Sequence, residues 1–139
     1  MSRFELQRIV YVLRLQDYCW YVGMCTVSGW RSRWWAHLAG KGSSWTKLHK
    51  PLCLEEKWEF KGDWRFGELL ENKRCIEYAL KYGVENVRGG HYCVSGVIPS
   101  RDTMLVDYGR ILESIESSKY LEQNGWNDLP TKKINTVGD

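Results

Sequence analysis

Two apolar runs near the start of the chain, only three residues apart, constrain its fold more than anything else in it. Residues 8–15 read Arg-Ile-Val-Tyr-Val-Leu-Arg-Leu, and residues 19–25 read Cys-Trp-Tyr-Val-Gly-Met-Cys. Both are rich in β-branched and aromatic side chains, which suit a pleated, half-buried surface. Gln16-Asp17-Tyr18 between them is short enough to be a hairpin turn. Register then matters for chemistry, because a slip of one residue turns every side chain to the other face. A three-residue loop pairs position 13 with 21 and position 11 with 23, so that Tyr11 and Tyr21 share one face as diagonal neighbours. A two-residue loop places them on opposite faces.

The remaining pattern supplies the other layers. Residues 30–39 suit a short helix stopped by Gly40, with Arg33 and His37 four apart on one face. Gly40-Lys-Gly-Ser-Ser-Trp-Thr-Lys47 reads as a basic Gly/Ser-rich loop, and residues 52–60 as a third strand. Leu69, Leu70, Ile76, Ala79 and Leu80 recur near the helical period, predicting a helix over 66–82 that ends at Gly83. A further helix over about 103–121 carries Leu105, Tyr108, Leu112 and Ile115, and the polar end from Asn124 reads as an arm. This order predicts an α+β domain over residues 1–95, a three-stranded central sheet flanked by helices. A C-terminal helical extension and polar tail occupy 96–139.

Composition narrows the function classes. Apolar residues make up 43% and charged ones 27%, as in an ordinary globular domain. No run of 18 apolar residues exists to span a membrane, and the N-terminus does not read as a signal peptide, so a cytoplasmic protein is expected. The net charge of +3 permits a nucleic-acid partner without requiring one. Five cysteines without a C-x-x-C pair read as free, buried thiols in a reducing compartment. His49 with Cys53, and His91 with Cys93, match no zinc-cluster spacing. Of the eight tryptophans, most are expected in the core. Trp30, Trp34, Trp35 and Trp45 have the alternative of stacking on bases.

Ile9-Val10-Tyr11 and Tyr21-Val22-Gly23, with their tyrosines ten positions apart, resemble the paired tripeptides of the GIY-YIG endonuclease superfamily. Arg33-Trp-Trp-Ala-His37 resembles the Arg-x-x-x-His/Tyr helix that follows them. The loop from Gly40 to Lys47 with Pro51, then Glu71, then Lys81-Tyr-Gly-Val-Glu-Asn-Val-Arg-Gly-Gly90 resemble short stand-alone microbial and viral members. The motifs keep the expected order over residues 8–93. Two departures stand out. Ile9 replaces a glycine, and Met24 stands where many members carry lysine, so one cation is missing or supplied elsewhere. Arg31 lies at the more usual distance from Tyr21, whereas Arg33 has the right spacing to His37. Glu68 and Glu77 compete with Glu71 for the helical acid, and Glu71 fits best by its distance from Asn86.

The resemblance implies a metal-dependent endonuclease that hydrolyses phosphodiester bonds in DNA. Glu71 would hold magnesium, with manganese as a substitute, and Arg33 would grip the phosphate through its planar fork. Tyr11 would act as general base with Tyr21 and His37 assisting, and His37 is an alternative base because its ordinary pKa suits the task. Arg31, Lys41, Lys47, Asn86 and Arg88 are expected on the substrate side. About 46 residues follow Cys93, too few for a linker and a separate DNA-reading domain. That implies a stand-alone enzyme or a module working with a partner protein or as a dimer. The competing readings are a catalytically inactive nucleic-acid-binding module on the same fold and a Trp-rich protein-interaction domain.

Overall fold

The computed structural model describes residues 6–93 and 100–117. The two apolar runs form the hairpin, β1 (Gln7–Leu15) and β2 (Cys19–Thr26), joined by one 3-10 turn at Gln16–Tyr18. Leu13 pairs with Tyr21 and Tyr11 with Gly23, the register that a three-residue loop dictates. Closing so short a loop drives Asp17 and Tyr18 to φ 63° and 57°. Aspartate tolerates this left-handed region, but a bulky tyrosine there is unusual.

The sheet has four strands, not the three expected. β3 (Pro51–Lys61) runs antiparallel along the outer side of β1, and β4 (Val87–Gly89) lies parallel to β2, giving the mixed order β3-β1-β2-β4. Three residues are too few to carry a period, and a parallel pairing leaves no hairpin signal beside it. β4 also depends on a close approach. Gly89 sits at φ 153° against the backbone of Val22, where a Cβ would strike the Val22 carbonyl.

Alternation along the strands separates two layers. On one face Ile9, Tyr11, Leu13, Leu15 and Trp45 pack with Tyr21, Trp30 and Trp34 beneath α1 (Trp30–Leu38) and α2 (Ser44–Leu48). On the other, Val10, Val12, Trp20, Val22, Trp58 and Phe60 meet Phe66, Leu70 and Ile76 of α3 (Trp64–Tyr82). Met104 and Ile111 of α4 (Arg101–Glu116) complete that core. The expected end of this last helix and the polar tail lie outside the described residues.

α2 corrects the expected open loop at 40–47. Ser43 caps it by accepting the Thr46 amide at 3.1 Å, while the Thr46 hydroxyl accepts the Ser43 amide at 3.2 Å. That reciprocal pair closes the first turn of a helix that would otherwise be too short to persist. Trp45 is thereby buried and donates its indole N–H to the Trp20 carbonyl at 2.9 Å. Trp20, Trp45 and Trp58 belong to the core, whereas Trp35 is 67% exposed on α1. The five cysteines are free, but only Cys19 and Cys75 are buried. Among the described residues no helix is long and apolar enough to cross a membrane.

Candidate functional site

Tyr11 and Tyr21 lie on the α1 face with ring centroids 6.3 Å apart. Gly23 makes the arrangement possible. A Cβ at that position would stand 2.5 Å from the Tyr11 hydroxyl and 2.9 Å from the Tyr21 ring, so only glycine lets the Tyr11 ring lie across β2. Trp30 covers Tyr11 from α1 at 4.9 Å between centroids. The Tyr11 hydroxyl is 2.8 Å from His37 Nε2, and the histidine is fully buried.

The second ring nitrogen meets α2. His37 Nδ1 lies 3.0 Å from Thr46 Oγ1, an oxygen that already donates to the Ser43 carbonyl at 3.3 Å. With that donation in place, the tautomer that pairs every group has Nδ1–H donating to Thr46 and Nε2 accepting from the Tyr11 hydroxyl. Gly42 passes directly over the imidazole, where a Cβ would collide with the ring. Burial, seconded by the Arg33 charge, lowers the His37 pKa to about 4, so the ring is neutral near pH 7. Burial raises the Tyr11 pKa, with Tyr21 adding to it and Arg33 opposing, and the phenol keeps its proton. Tyr21 is pushed up to about 12, first by burial and then by the Glu71 charge.

Glu71 belongs to the same electrostatic unit although it rides on α3. Its charge acts on both Tyr11 and Tyr21, and the Arg33 charge acts on it in return. β4 ends opposite Val22, so β2 from Gly23 onward has no strand on its outer side among the described residues. Burial, then the neighbouring Glu68, raises the Glu71 pKa to about 7. Glu77, by contrast, is held by Lys73, Arg74 and Tyr108. Arg33 is exposed and lines a groove of about 540 Å³ with Cys25 and Ser32. A hollow of about 580 Å³ at the hairpin tip, lined by Arg14, Tyr18 and Leu52, stands apart from this cluster.

Tyr11, Tyr21, Arg33, His37 and Glu71, expected from three separate stretches of sequence, thus act on one another. The expected substrate contacts divide. Arg31, Lys41 and Lys47 are exposed around α1 and α2. Asn86 instead donates to the Tyr82 carbonyl at 2.8 Å and ties down the end of α3. Arg88 is a correction. It is 1% exposed, donates to the Val84 and Val87 carbonyls at 2.9 and 2.8 Å, and stacks 4.7 Å from the Trp45 ring. A guanidinium so committed holds β4 in place and does not face a substrate.

Thr46, Gly23 and Gly42 were quoted from the sequence only within motifs and Trp30 only as a candidate for stacking on bases, not in the roles found here. Only the Ser43-Ser-Trp-Thr46 spacing, close to a capping box, carried a signal for Thr46. As to metal, no group of three His, Cys, Asp or Glu gathers among the described residues. A hard divalent cation accepts fewer protein ligands when substrate oxygens and water fill its shell. Glu71 fits that case, being a carboxyl whose ionisation burial makes costly near neutral pH and a bound cation would favour. The chain matches no protein-family model, no curated protein and no solved structure.

Proposed function

We propose that the protein is a metal-dependent endonuclease of the GIY-YIG type that hydrolyses phosphodiester bonds in DNA. The observation that carries this reading is the mutual approach of Tyr11, Tyr21, Arg33, His37 and Glu71 on the hairpin, α1 and α3. Structural ion pairs also perturb pKa values, but they do so by neutralising one another. This group instead holds two phenols and a neutral imidazole beside a carboxylate of raised pKa.

Glu71 would hold magnesium or manganese, which when bound supplies Lewis-acid charge at the phosphate. Arg33 takes the phosphate oxygens through its planar, permanently charged fork. A phenol with a raised pKa is a poor base alone. Tyr11, however, is hydrogen-bonded to a neutral imidazole nitrogen. As its oxygen takes a proton from the attacking water, its own proton passes to His37 Nε2, so no free phenolate forms. Thr46 keeps Nδ1 protonated and the acceptor nitrogen aimed at Tyr11. Tyr11 is 1% exposed, so the water it serves is one that arrives with the substrate. Tyr21, still protonated at neutral pH, donates to a phosphate oxygen.

The test is cleavage of supercoiled plasmid and of labelled single-stranded DNA with magnesium, manganese or EDTA, comparing wild type with Glu71→Ala and Arg33→Ala. Metal-dependent cutting lost in both variants is the expected result. A folded wild type that cuts neither substrate with either metal sinks the catalytic reading. The inactive binding module then becomes the better account.

A further inference from the structure

The tip of the hairpin carries a tyrosine where the backbone disfavours one. Asp17 and Tyr18 follow one another at φ 63° and 57°. Glycine, asparagine and aspartate take such left-handed positions most easily, and a bulky side chain is held there at a cost. The turn is pinned from three directions. The Gln16 amide donates to the Lys50 carbonyl at 2.9 Å, the Asp17 carboxylate lies 2.9 Å from His49 Nδ1, and the Cys19 thiol lies 3.5 Å from the Asp17 carbonyl. None of these bonds uses the Tyr18 side chain. It is 85% exposed, more than any other large apolar side chain among the described residues. Burial therefore does not account for the tyrosine, and strain held so firmly at an exposed ring points to a use outside the fold.

Tyr18 forms one wall of the hollow of about 580 Å³ at the end of the sheet, with Arg14, Gln16 and Leu52 around it. The charges at this end already have counterparts. Asp17 faces His49, and Arg14 lies 5.8 Å over the Trp20 ring and acts on Tyr82 together with Glu55. What the tip presents is the Tyr18 ring and the exposed Leu52 side chain, with the exposed Gln16 side chain beside them. That surface suits a planar, uncharged heterocycle better than a phosphate. A nucleobase is such a group, and every base has a π face to stack. Inside a duplex both faces of a base are already covered, so only an unpaired base can take the ring.

We infer that Tyr18 is a base-stacking residue that binds an unpaired nucleobase of the substrate strand. The inference rests on the nuclease reading and deepens it by naming the substrate class, DNA with an unpaired segment. The hairpin brings the tip within reach. Tyr21 lies two residues from the start of β2 and Tyr11 four from the end of β1. The turn therefore begins about 7–13 Å from them at ~3.3 Å per residue. A nucleic-acid strand covers that interval in about two to four nucleotides at ~3.4 Å each.

The experiment is fluorescence anisotropy of fluorescein-labelled single-stranded DNA and its duplex, without metal. Wild type, Tyr18→Asn and Tyr18→Phe are compared, with melting curves alongside. Asparagine tolerates the left-handed backbone, so Tyr18→Asn should melt no lower than wild type. It should weaken single-strand binding about 5- to 150-fold, the worth of one base–aromatic stack, and leave duplex binding unchanged. Tyr18→Phe keeps the ring and should keep the affinity. A strand of the same length made of abasic nucleotides keeps every phosphate and should bind wild type and Tyr18→Asn alike. Wild-type affinity for the single strand in folded Tyr18→Asn overturns the inference and leaves the nuclease reading standing. So does an equal loss on the abasic strand, which would mean that the ring meets backbone and not a base. A wild type that binds neither DNA overturns both.

Discussion

Glu71 and Glu77 stand six residues apart on the same helix, and the contrast between them separates scaffold from site. Glu77 is gripped by Lys73 at 2.7 Å, by Arg74 at 3.1 Å and by the Tyr108 hydroxyl at 2.5 Å. Glu56 joins that cluster from β3, accepting from Tyr78 and lying 3.7 Å from Arg74, whose guanidinium stacks 4.0 Å from Trp58. Two acids and two bases balance, and the cluster ties β3, α3 and α4 together. On the α1 side of the sheet Tyr11, Tyr21 and His37 are held neutral, and Glu71, reaching toward them from α3, carries no ion pair among the described residues. Charge that is matched on burial serves the fold. Charge buried without its match is costly to the folded state and persists where a substrate or metal completes it.

The largest expected effect lies in the matched cluster. Removing one partner of a buried pair leaves an uncompensated charge, at a cost of about 3–5 kcal/mol. Glu77→Ala, which strands Lys73 and Arg74 together, should lose stability of that order in urea unfolding. Glu71→Ala should lose none. Equal losses in the two variants would erase the distinction between the two acids.

Next comes the reverse effect at Glu71. Its folded pKa is raised to about 7 from an ordinary 4.5. The stability tied to its neutral form is complete below about pH 4.5 and is lost as the pH rises through 7. Glu71→Gln should therefore melt higher than wild type at pH 8, by roughly 1–3 kcal/mol, and no higher at pH 4. The same substitution should cut the cleavage rate by about 10²–10³, the usual cost of losing a charge-stabilising group. Stability gained as activity is lost marks a residue kept for function. Wild-type cleavage should also rise with pH to about 7 as the carboxylate ionises. A rate already flat across pH 5 to 8 would show that Glu71 titrates elsewhere.

The parts of this contrast differ in how far the sequence exposes them. The hairpin register was legible because a loop of three residues admits one pairing, and Gly40 and Gly83 mark helix ends at φ 76° and 106°. Glu71 was favoured over Glu77 only through spacing to Asn86. Nothing local distinguishes the two, since what differs is whether Lys73, Arg74 and Tyr108 close around the carboxylate. Arg88 was misjudged for a related reason. A basic residue in a Gly-flanked turn reads as surface until β4 pairs with β2 and carries it inward. Thr46 was invisible because its role depends on where the His37 ring lies.

Thr46 gives the next test, smaller because it acts through another residue. Thr46→Val removes the acceptor for Nδ1–H and should cost about 1–3 kcal/mol, the penalty for a buried donor left without a partner. It also frees the imidazole to take the other tautomer, so cleavage should fall, while Thr46→Ser should restore both. The folded His37 pKa, lowered to about 4 from 6.5, means that stability is lost as the pH falls between those values. His37→Gln should flatten that acid limb. An unchanged limb would move the titrating group away from the Tyr11 pair.

The smallest effects belong to Lys41 and Lys47, exposed on the α1–α2 side. Neither has a burial to lose, so Lys41→Gln and Lys47→Gln should stay within about 0.5 kcal/mol of wild-type stability. If DNA lies across that side, each should still lower the salt slope of binding by about 0.9 on duplex. Together with Arg33 they would trace a path over the α1 face with the Tyr11–His37 pair beneath it. If both lysines leave the slope unchanged, the strand does not cross that side. The exposed charge around α2 is then a solvated face, and the short helix exists to hold Trp45 and Thr46 in place.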